Sequence, residues 1–289
     1  MITVSYVSLS AIDGQMESFS NEVNQFVFND GSVQVTATSP IPPESVVEIV
    51  IITSPMSPQD QMALIMTVGA LRDEYIGVPI TLYMPFTPYG RQDAVFIPGQ
   101  ANAMKVWAGV INSMDFYKVI VVDPHSNAVA HIDRCKVLDI VDVLKGCPKF
   151  SETLFTKTLV SPDAGANKKC HKVAKEFGIS DMLRADKARE LSTGKIIETE
   201  LFGDASDKDC VIIDDICDGG MTFIKLAEKL KEEGALRITL FVTHGIFSKG
   251  LSVFEGLIDE IHTTDTIPRL YTLPSDGYTG KVVVHNILK

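Results

Sequence analysis

Residues 210–222 read Cys-Val-Ile-Ile-Asp-Asp-Ile-Cys-Asp-Gly-Gly-Met-Thr. Val211, Ile212 and Ile213 make a short β-branched run, the mark of a strand buried on both faces rather than of a helix. Beyond the glycines, Phe223, Leu226, Ala227 and Leu230 recur at helical spacing, Lys225, Glu228, Lys229 and Glu232 fill the opposite face, and Gly234 supplies a stop. A helix therefore begins near Met221 or Thr222, and its free N–H groups and positive dipole end face the turn before it. Gly219 and Gly220 let a phosphate approach that backbone closely. Asp214, Asp215 and Asp218 would repel the same phosphate and need a different task. Carboxylates accept hydrogen bonds from vicinal ribose hydroxyls and reach a hydrated magnesium ion. The whole stretch suits a sugar phosphate better than it suits a plain acidic loop.

Outward from this point, strand-like and helix-like segments alternate. Ile49 to Ile52, Ile80 to Met84, Val119 to Val122, Thr158 to Val160 and Ile238 to Val242 read as strands. Ser57 and Pro58 open a helix reaching Arg72, Ala103 to Met114 carries one apolar stripe, and a further helix spans Ala166 to Phe177. Such alternation predicts an α/β protein with mainly parallel sheets. Its 289 residues are enough for two domains, placed at 1–145 and 146–289 by the Lys145-Gly146-Cys147-Pro148 stretch. Each half ends an apolar strand in aspartate, Val121-Val122-Asp123 in the first and Ile212-Ile213-Asp214 in the second, which fits two similar sheet domains with substrates between them.

Composition narrows the class of function. A net charge of −11 argues against nucleic acid and against an anionic membrane surface as partner. No apolar run is as long as a membrane span, and Met1 to Tyr6 has no basic leader region. Five cysteines without a Cys-x-x-Cys pair fit free thiols in a reducing cytoplasm.

The Asp214 to Thr222 stretch resembles the phosphoribosyl diphosphate (PRPP) motif shared by phosphoribosyltransferases and by ribose-phosphate pyrophosphokinases, the PRPP synthetases. Five other segments, in the same order as in the synthetases, favour the second family. Pro88-Tyr89-Gly90-Arg91-Gln92-Asp93 resembles its ATP-holding loop, with Ala94 where a basic residue is frequent. Asp123-Pro124-His125 resembles a stretch whose histidine lies at the metal and triphosphate; His131 nearby completes no ligand spacing. Ser161-Pro162-Asp163-Ala164-Gly165-Ala166 is similar to the loop beside the pyrophosphate, whose aspartate is associated with the metal, although Ala166 replaces a usual glycine. Lys168 and Lys169 beyond it read as a solvated helix face. Within Ala185 to Lys195, Lys187 and Arg189 match a Lys-x-Arg pair on a flap that stabilises the transition state. Finally, Phe26 to Ser32 resembles an adenine-binding loop contributed to a neighbouring subunit, with Phe28 and Asp30 in matching places and Ser32 where glutamate is common.

The resemblance implies two phosphoribosyltransferase-like domains and transfer of the diphosphate of ATP to the C1 hydroxyl of ribose 5-phosphate, giving PRPP and AMP. It implies catalytic roles for Lys187, Arg189 and His125, and ATP binding by Phe28, Asp30, Arg91, Gln92 and Asp93. Ribose 5-phosphate would be held by Asp214, Asp215, Asp218, Gly219, Gly220, Met221 and Thr222. It also implies a magnesium ion at His125 and Asp163, and a homo-oligomer, a dimer or a hexamer built of dimers. A phosphoribosyltransferase that consumes PRPP, or a non-catalytic regulatory subunit of the same fold, are the alternatives. The first leaves the Arg91 loop without a role, and the second leaves Lys187, Arg189, His125 and three aspartates without one.

Overall fold

The structure, a computed structural model, describes residues 1–9, 15–189, 196–268 and 276–288. The chain divides into two compact units, Met1–Leu138 and Asp139–Lys289.

The first unit begins with strands β1 (Ile2–Leu9) and β2 (Met16–Glu22), followed by a separate hairpin of β3 (Asn24–Val27) and β4 (Val33–Thr36). The α/β alternation then sets in: β5 (Val46–Thr53), α1 (Pro58–Glu74), β6 (Ile80–Met84), α2 (Ala103–Ser113), β7 (Lys118–Val122) and β8 (Cys135–Leu138). The six-stranded sheet has the order β2-β1-β5-β6-β7-β8; β5 to β8 are parallel, and β1 and β2 add an antiparallel edge. Helix α1 starts where the sequence says it should. Ser57 Oγ accepts from Asp60 N at 3.1 Å, Asp60 Oδ2 accepts from Ser57 N at 3.0 Å, and Pro58 fills the first turn. Its buried face, Ala63, Leu64, Thr67, Val68 and Leu71, packs into one core with Ile49, Ile51, Leu82, Met84, Trp107 and Val121.

The second unit contains α3 (Ile140–Lys145), α4 (Pro148–Ser151), β9 (Thr158–Ser161), α5 (Asn167–Phe177), β10 (Met182–Arg189), β11 (Ile196–Phe202), β12 (Asp209–Cys217), α6 (Met221–Glu232), β13 (Arg237–Gly245), β14 (Glu260–Thr264) and β15 (Lys281–His285). Its seven strands run β11-β10-β9-β12-β13-β14-β15, all parallel except the β10/β11 pair. Strand β12 is central, and Cys210 to Ile213 have no exposed surface. Central parallel strands covered on both faces read as unbroken apolar runs, which is why Val211 to Ile213 stood out. The expectation of an α/β protein with mainly parallel sheets therefore holds in both units. Among the described residues no helix is long and apolar enough to cross a membrane.

One boundary differs from the sequence reading in a way that matters. Strand β12 does not stop at Ile213 but continues through Asp214 and Asp215 to Cys217, because β13 stays in register beside it as far as Ile216↔His244 and Cys217↔Gly245. The first two carboxylates thus sit on a strand rather than in the turn, and only Asp218 lies beyond it.

Candidate functional site

In the second unit, the carboxyl end of β12 holds a packed acidic pair. Asp215 is buried, and its Oδ1 accepts from Lys169 Nζ at 3.0 Å. Asp215 N donates to Asp214 Oδ1 at 2.9 Å. Burial, then the neighbouring Asp215 carboxylate, raise the Asp214 pKa well above the usual carboxylate range, with Lys169 acting against them. Asp214 thereby keeps its proton to higher pH than an ordinary carboxyl, and the protonated form can donate as well as accept. Lys169 corrects the sequence reading. Of the two, Lys168 lies on the exposed face of α5, whereas the Lys169 side chain is only 20% exposed and tied to the motif. The signal was its place three residues past Ala166, on the first turn of α5 facing the parallel strand next door.

The turn after Cys217 is clamped by the segment that follows β13. Ile246 N and Phe247 N both donate to Cys217 O, at 2.8 and 3.1 Å, and Ser248 N donates to Asp218 O at 3.2 Å. Ser248 Oγ donates to Asp218 Oδ1 at 2.6 Å. Gly220 has φ +77°, and a Cβ there would lie 2.5 Å from Phe254 Cζ, so both backbone angle and space require glycine. Gly220 is also the N-cap of α6 and has no side chain to satisfy the first-turn N–H groups. Phe223 N and Ile224 N donate to Gly220 O. Met221 is exposed. Lys249 lays its stem across Gly219, where a Cβ would stand 3.5 Å from Lys249 Cε and 3.7 Å from Cδ. Neither Ser248, Lys249 nor Phe254 figured in the sequence reading. Their signal was indirect: β13 neighbours β12 in parallel, so the loop after it must emerge at the same edge.

Two further segments of this unit carry expected residues. In the loop leading to α5, Asp163 Oδ1 accepts from Ala166 N at 3.0 Å, and Ser161 Oγ donates to Asp163 O at 3.0 Å. Lys187 and Arg189 lie on β10, opposite Thr199 and Ile196 of β11, with a register irregularity between Ala188 and Arg189. The side chains of that pair lie outside the described residues, as do residues 190–195.

In the first unit, the Arg91 loop and His125 come together. A Cβ on Gly90 would meet His125 Cβ at 3.7 Å. Tyr89 takes φ +62° and is held by its hydroxyl, which donates to Gln61 Oε1 at 2.8 Å. Gln92 N donates to Tyr89 O, Met104 N to Gln92 O, and Asn102 Nδ2 to Asp93 O at 2.8 Å. These bonds fix the backbone while Arg91 and Gln92 remain exposed and Asp93 half-buried. Asp123, at 3% exposure and φ +35°, turns the chain so that His125 is exposed. In the β3/β4 hairpin, Phe28 is 49% exposed and stacks edge-on with Phe26 at 4.8 Å, so it is not a core residue. Asp30 Oδ1 accepts from Ser32 N at 2.9 Å and Ser32 Oγ at 2.7 Å, bonds that lower its pKa. Ser32 thus serves to orient Asp30.

Nothing here behaves as a reactive thiol. All five cysteines are free, and burial pushes Cys147 and Cys170 up to about 12 and Cys210 to about 11. Among the described residues no three His, Cys, Asp or Glu side chains converge as a metal cage.

Residues 180–274 match the model of the phosphoribosyl synthetase-associated domain. A ribose-phosphate pyrophosphokinase from Haemophilus ducreyi is 32% identical over 256 residues, spanning 83% of this chain and 77% of that protein. One from Haemophilus influenzae is 32% identical over 276 residues, spanning 90% and 84%. Among solved structures, phosphoribosylpyrophosphate synthetase from Mycobacterium smegmatis shares the fold at a TM-score of 0.75 and 21% identity, over 92% of this chain and 86% of that one.

Proposed function

Since this chain belongs to the ribose-phosphate pyrophosphokinase family, we propose that it transfers the β,γ-diphosphate of ATP to the C1 hydroxyl of ribose 5-phosphate, giving PRPP and AMP. The observation that carries this reading is the end of β12. There the Asp214–Asp215 pair, Asp218 and a glycine turn clamped by a second loop precede a helix N-terminus without a side-chain cap. Asp214, Asp215 and Asp218 would bond the ribose hydroxyls, and the Gly219 to Thr222 backbone would take the 5-phosphate. The burial that makes Asp214 costly to ionise leaves it suited to a neutral sugar rather than to a cation.

ATP would bind through the first unit. Arg91 offers a planar fork to the phosphates, with Gln92 and Asp93 beside it on a backbone already fixed by hydrogen bonds. The adjacency of Gly90 and His125 supports a role for His125 at the same triphosphate. The exposed Phe28, with Asp30 oriented by Ser32, would stack on and bond an adenine, in a homo-oligomer where the hairpin serves a neighbouring subunit. Lys187 and Arg189 would meet charge developing on the transferred oxygens. As in other phosphoryl transfers, the protein chiefly positions the partners and offsets charge.

Magnesium fits this donor set in one respect. A hard carboxylate oxygen such as that of Asp163 suits the ion, which is usually held by one or two carboxylates and the substrate's own phosphates rather than by a protein cage. The His125 imidazole suits it less well and fits better as a donor to nucleotide oxygens. When bound, the ion would neutralise charge on the triphosphate.

The test is incubation with ATP, magnesium and ribose 5-phosphate, followed by phosphorus NMR. Stoichiometric AMP and PRPP are expected. Their absence, with PRPP instead consumed when a nucleobase is supplied, would transfer the protein to the phosphoribosyltransferase alternative.

A further inference from the structure

The sugar-phosphate end of the proposed site carries three carboxyl groups, and the one cation paired there, Lys169, is taken up by Asp215. Asp214, Asp215 and Asp218 cluster where a phosphate monoester with about −1.5 to −2 charges must arrive. Three cations of the neighbouring helices are already committed. Lys169 is paired with Asp215 at 3.0 Å, Lys225 with Glu228 at 2.7 Å, and Lys229 with Glu233 at 2.9 Å. Lys249 is different. It makes no ion pair among the described residues and is exposed, but its stem lies along the turn: its Cγ, Cδ and Cε are 3.9, 3.7 and 3.5 Å from the position of a Cβ on Gly219.

The placement is built from both sides. Before Lys249, the three backbone bonds from Ile246, Phe247 and Ser248 to the Cys217 and Asp218 carbonyls lock the loop to the turn. After it, Gly250 N donates to Phe247 O at 2.9 Å, and Leu251 N and Ser252 N donate to the Asp276 carboxylate at 2.8 and 3.0 Å. Phe254, a few residues on, is the ring that closes over Gly220. A methyl group at position 219 would stand in ordinary van der Waals contact with the lysine stem, so the stem lies directly against the turn.

We propose that Lys249 is a specificity residue of this site: its ammonium, carried across Gly219, binds the 5-phosphate of the pentose beside these carboxyl groups. This deepens the reading of the site given above and rests on it. A lysine suits the task, since it meets a phosphate as a mobile point charge rather than through a fixed fork. The inferred effect is on affinity for the phosphorylated sugar and not on the chemical step, because the ammonium meets the 5-phosphate equally in the ground state and the transition state.

The test compares wild type with Lys249→Met, which keeps the stem over Gly219, and with Lys249→Arg, which keeps the charge. For Lys249→Met, KM for ribose 5-phosphate should rise about 10- to 30-fold, the effect of losing one charge-assisted contact, with kcat and KM for ATP within about 2-fold. Calorimetric Kd for ribose 5-phosphate without ATP should rise in parallel, Lys249→Arg should recover most of the loss, and binding of unphosphorylated ribose should be unchanged. The salt dependence of the ribose 5-phosphate KM should also be shallower in Lys249→Met. Unchanged KM and Kd in Lys249→Met, or a loss expressed in ATP binding, would overturn the inference while leaving the diphosphokinase reading intact. A wild type that binds ribose 5-phosphate more tightly than Lys249→Met but forms no PRPP would uphold the inference and sink that reading. Failure of the wild type to bind ribose 5-phosphate would overturn both.

Discussion

Each unit ends an apolar parallel strand in aspartate, and the two aspartates have opposite fates. Strand β7 stops at Val122 because its partner β8 runs out at Leu138; Asp123 then leaves the ladder at φ +35°, donating its N–H to Leu138 O at 2.7 Å, and the chain turns His125 outward. Strand β12 continues because β13 is nine residues long and stays in register, so both carboxyls remain in the sheet, Asp214 half-buried and Asp215 buried against Lys169 of α5. The length of a neighbouring strand, rather than the Val-Val-Asp or Ile-Ile-Asp signature, decides which result follows. One edge offers exposed groups such as Arg91 and His125, suited to a polyphosphate. The other offers a dry carboxylate pair suited to sugar hydroxyls.

The sharpest way to break this contrast is to remove the cation from the dry side. Lys169→Met should take the lysine ammonium from the buried Asp215 and lower stability by ~3 kcal/mol, toward the lower end for broken buried pairs since the lysine keeps part of its surface in water. Urea unfolding would measure it. The double variant Lys169→Met/Asp215→Asn should recover a good part of the loss, through a coupling of roughly 1–3 kcal/mol. Strict additivity would mean that the pair is incidental.

Glycines sharpen the comparison further. Gly220→Ala sets a methyl group 2.5 Å from the Phe254 ring in a left-handed backbone, and should cost ~2–3 kcal/mol and raise KM for ribose 5-phosphate. Gly90→Ala, in the corresponding loop region of the first unit, meets only Thr87 O at 3.4 Å and His125 Cβ at 3.7 Å, ordinary contacts. It should change stability by less than about 0.5 kcal/mol. Equal losses from the two substitutions, measured by thermal unfolding, would show that the two edges are equally tightly built.

The exposed edge should respond in activity and not in stability. His125→Ala removes an exposed side chain, so unfolding should be unchanged within about 0.5 kcal/mol. AMP formation should fall about 100-fold, the typical loss on removing one group that stabilises transition-state charge. A variant that turns over normally would remove His125 from the proposed ATP side.

These contrasts also explain what was legible in the sequence. Helix α1, with Ser57 and Asp60 as its capping pair, and the apolar run of β12 follow from local rules of hydrogen bonding and burial, and they formed as read. The Asp214 to Thr222 order and the Arg91 loop were legible because turn chemistry and ligand chemistry coincide there. Lys169 and Lys249 were not. A lysine on an amphipathic helix or in a loop looks solvated unless its spatial neighbour is known, and those neighbours, Asp215 and Gly219, lie 46 and 30 residues away in the chain. The continuation of β12 was hidden for the same reason, since register is a property of two strands.

The smallest effect tests whether the dry edge holds a proton. Asp214 has a raised pKa in the folded protein, so between the ordinary carboxylate range and that higher value the native state binds more protons than the unfolded chain. The slope of unfolding free energy against pH is then negative: the contribution of Asp214 is fully present below the unfolded-state pKa and is lost as pH rises through the folded one. One proton limits the slope to about 1.4 kcal/mol per pH unit. Asp214→Asn, which cannot ionise, should flatten the profile in that window while leaving the acid limb below it in place. The raised value has burial as its first cause and the Asp215 charge as its second, so Asp215→Asn should reduce the slope without abolishing it. If Asp214→Asn and wild type traced the same curve, Asp214 would be ionised like a surface aspartate, and the carboxyl edge of β12 would not be dry.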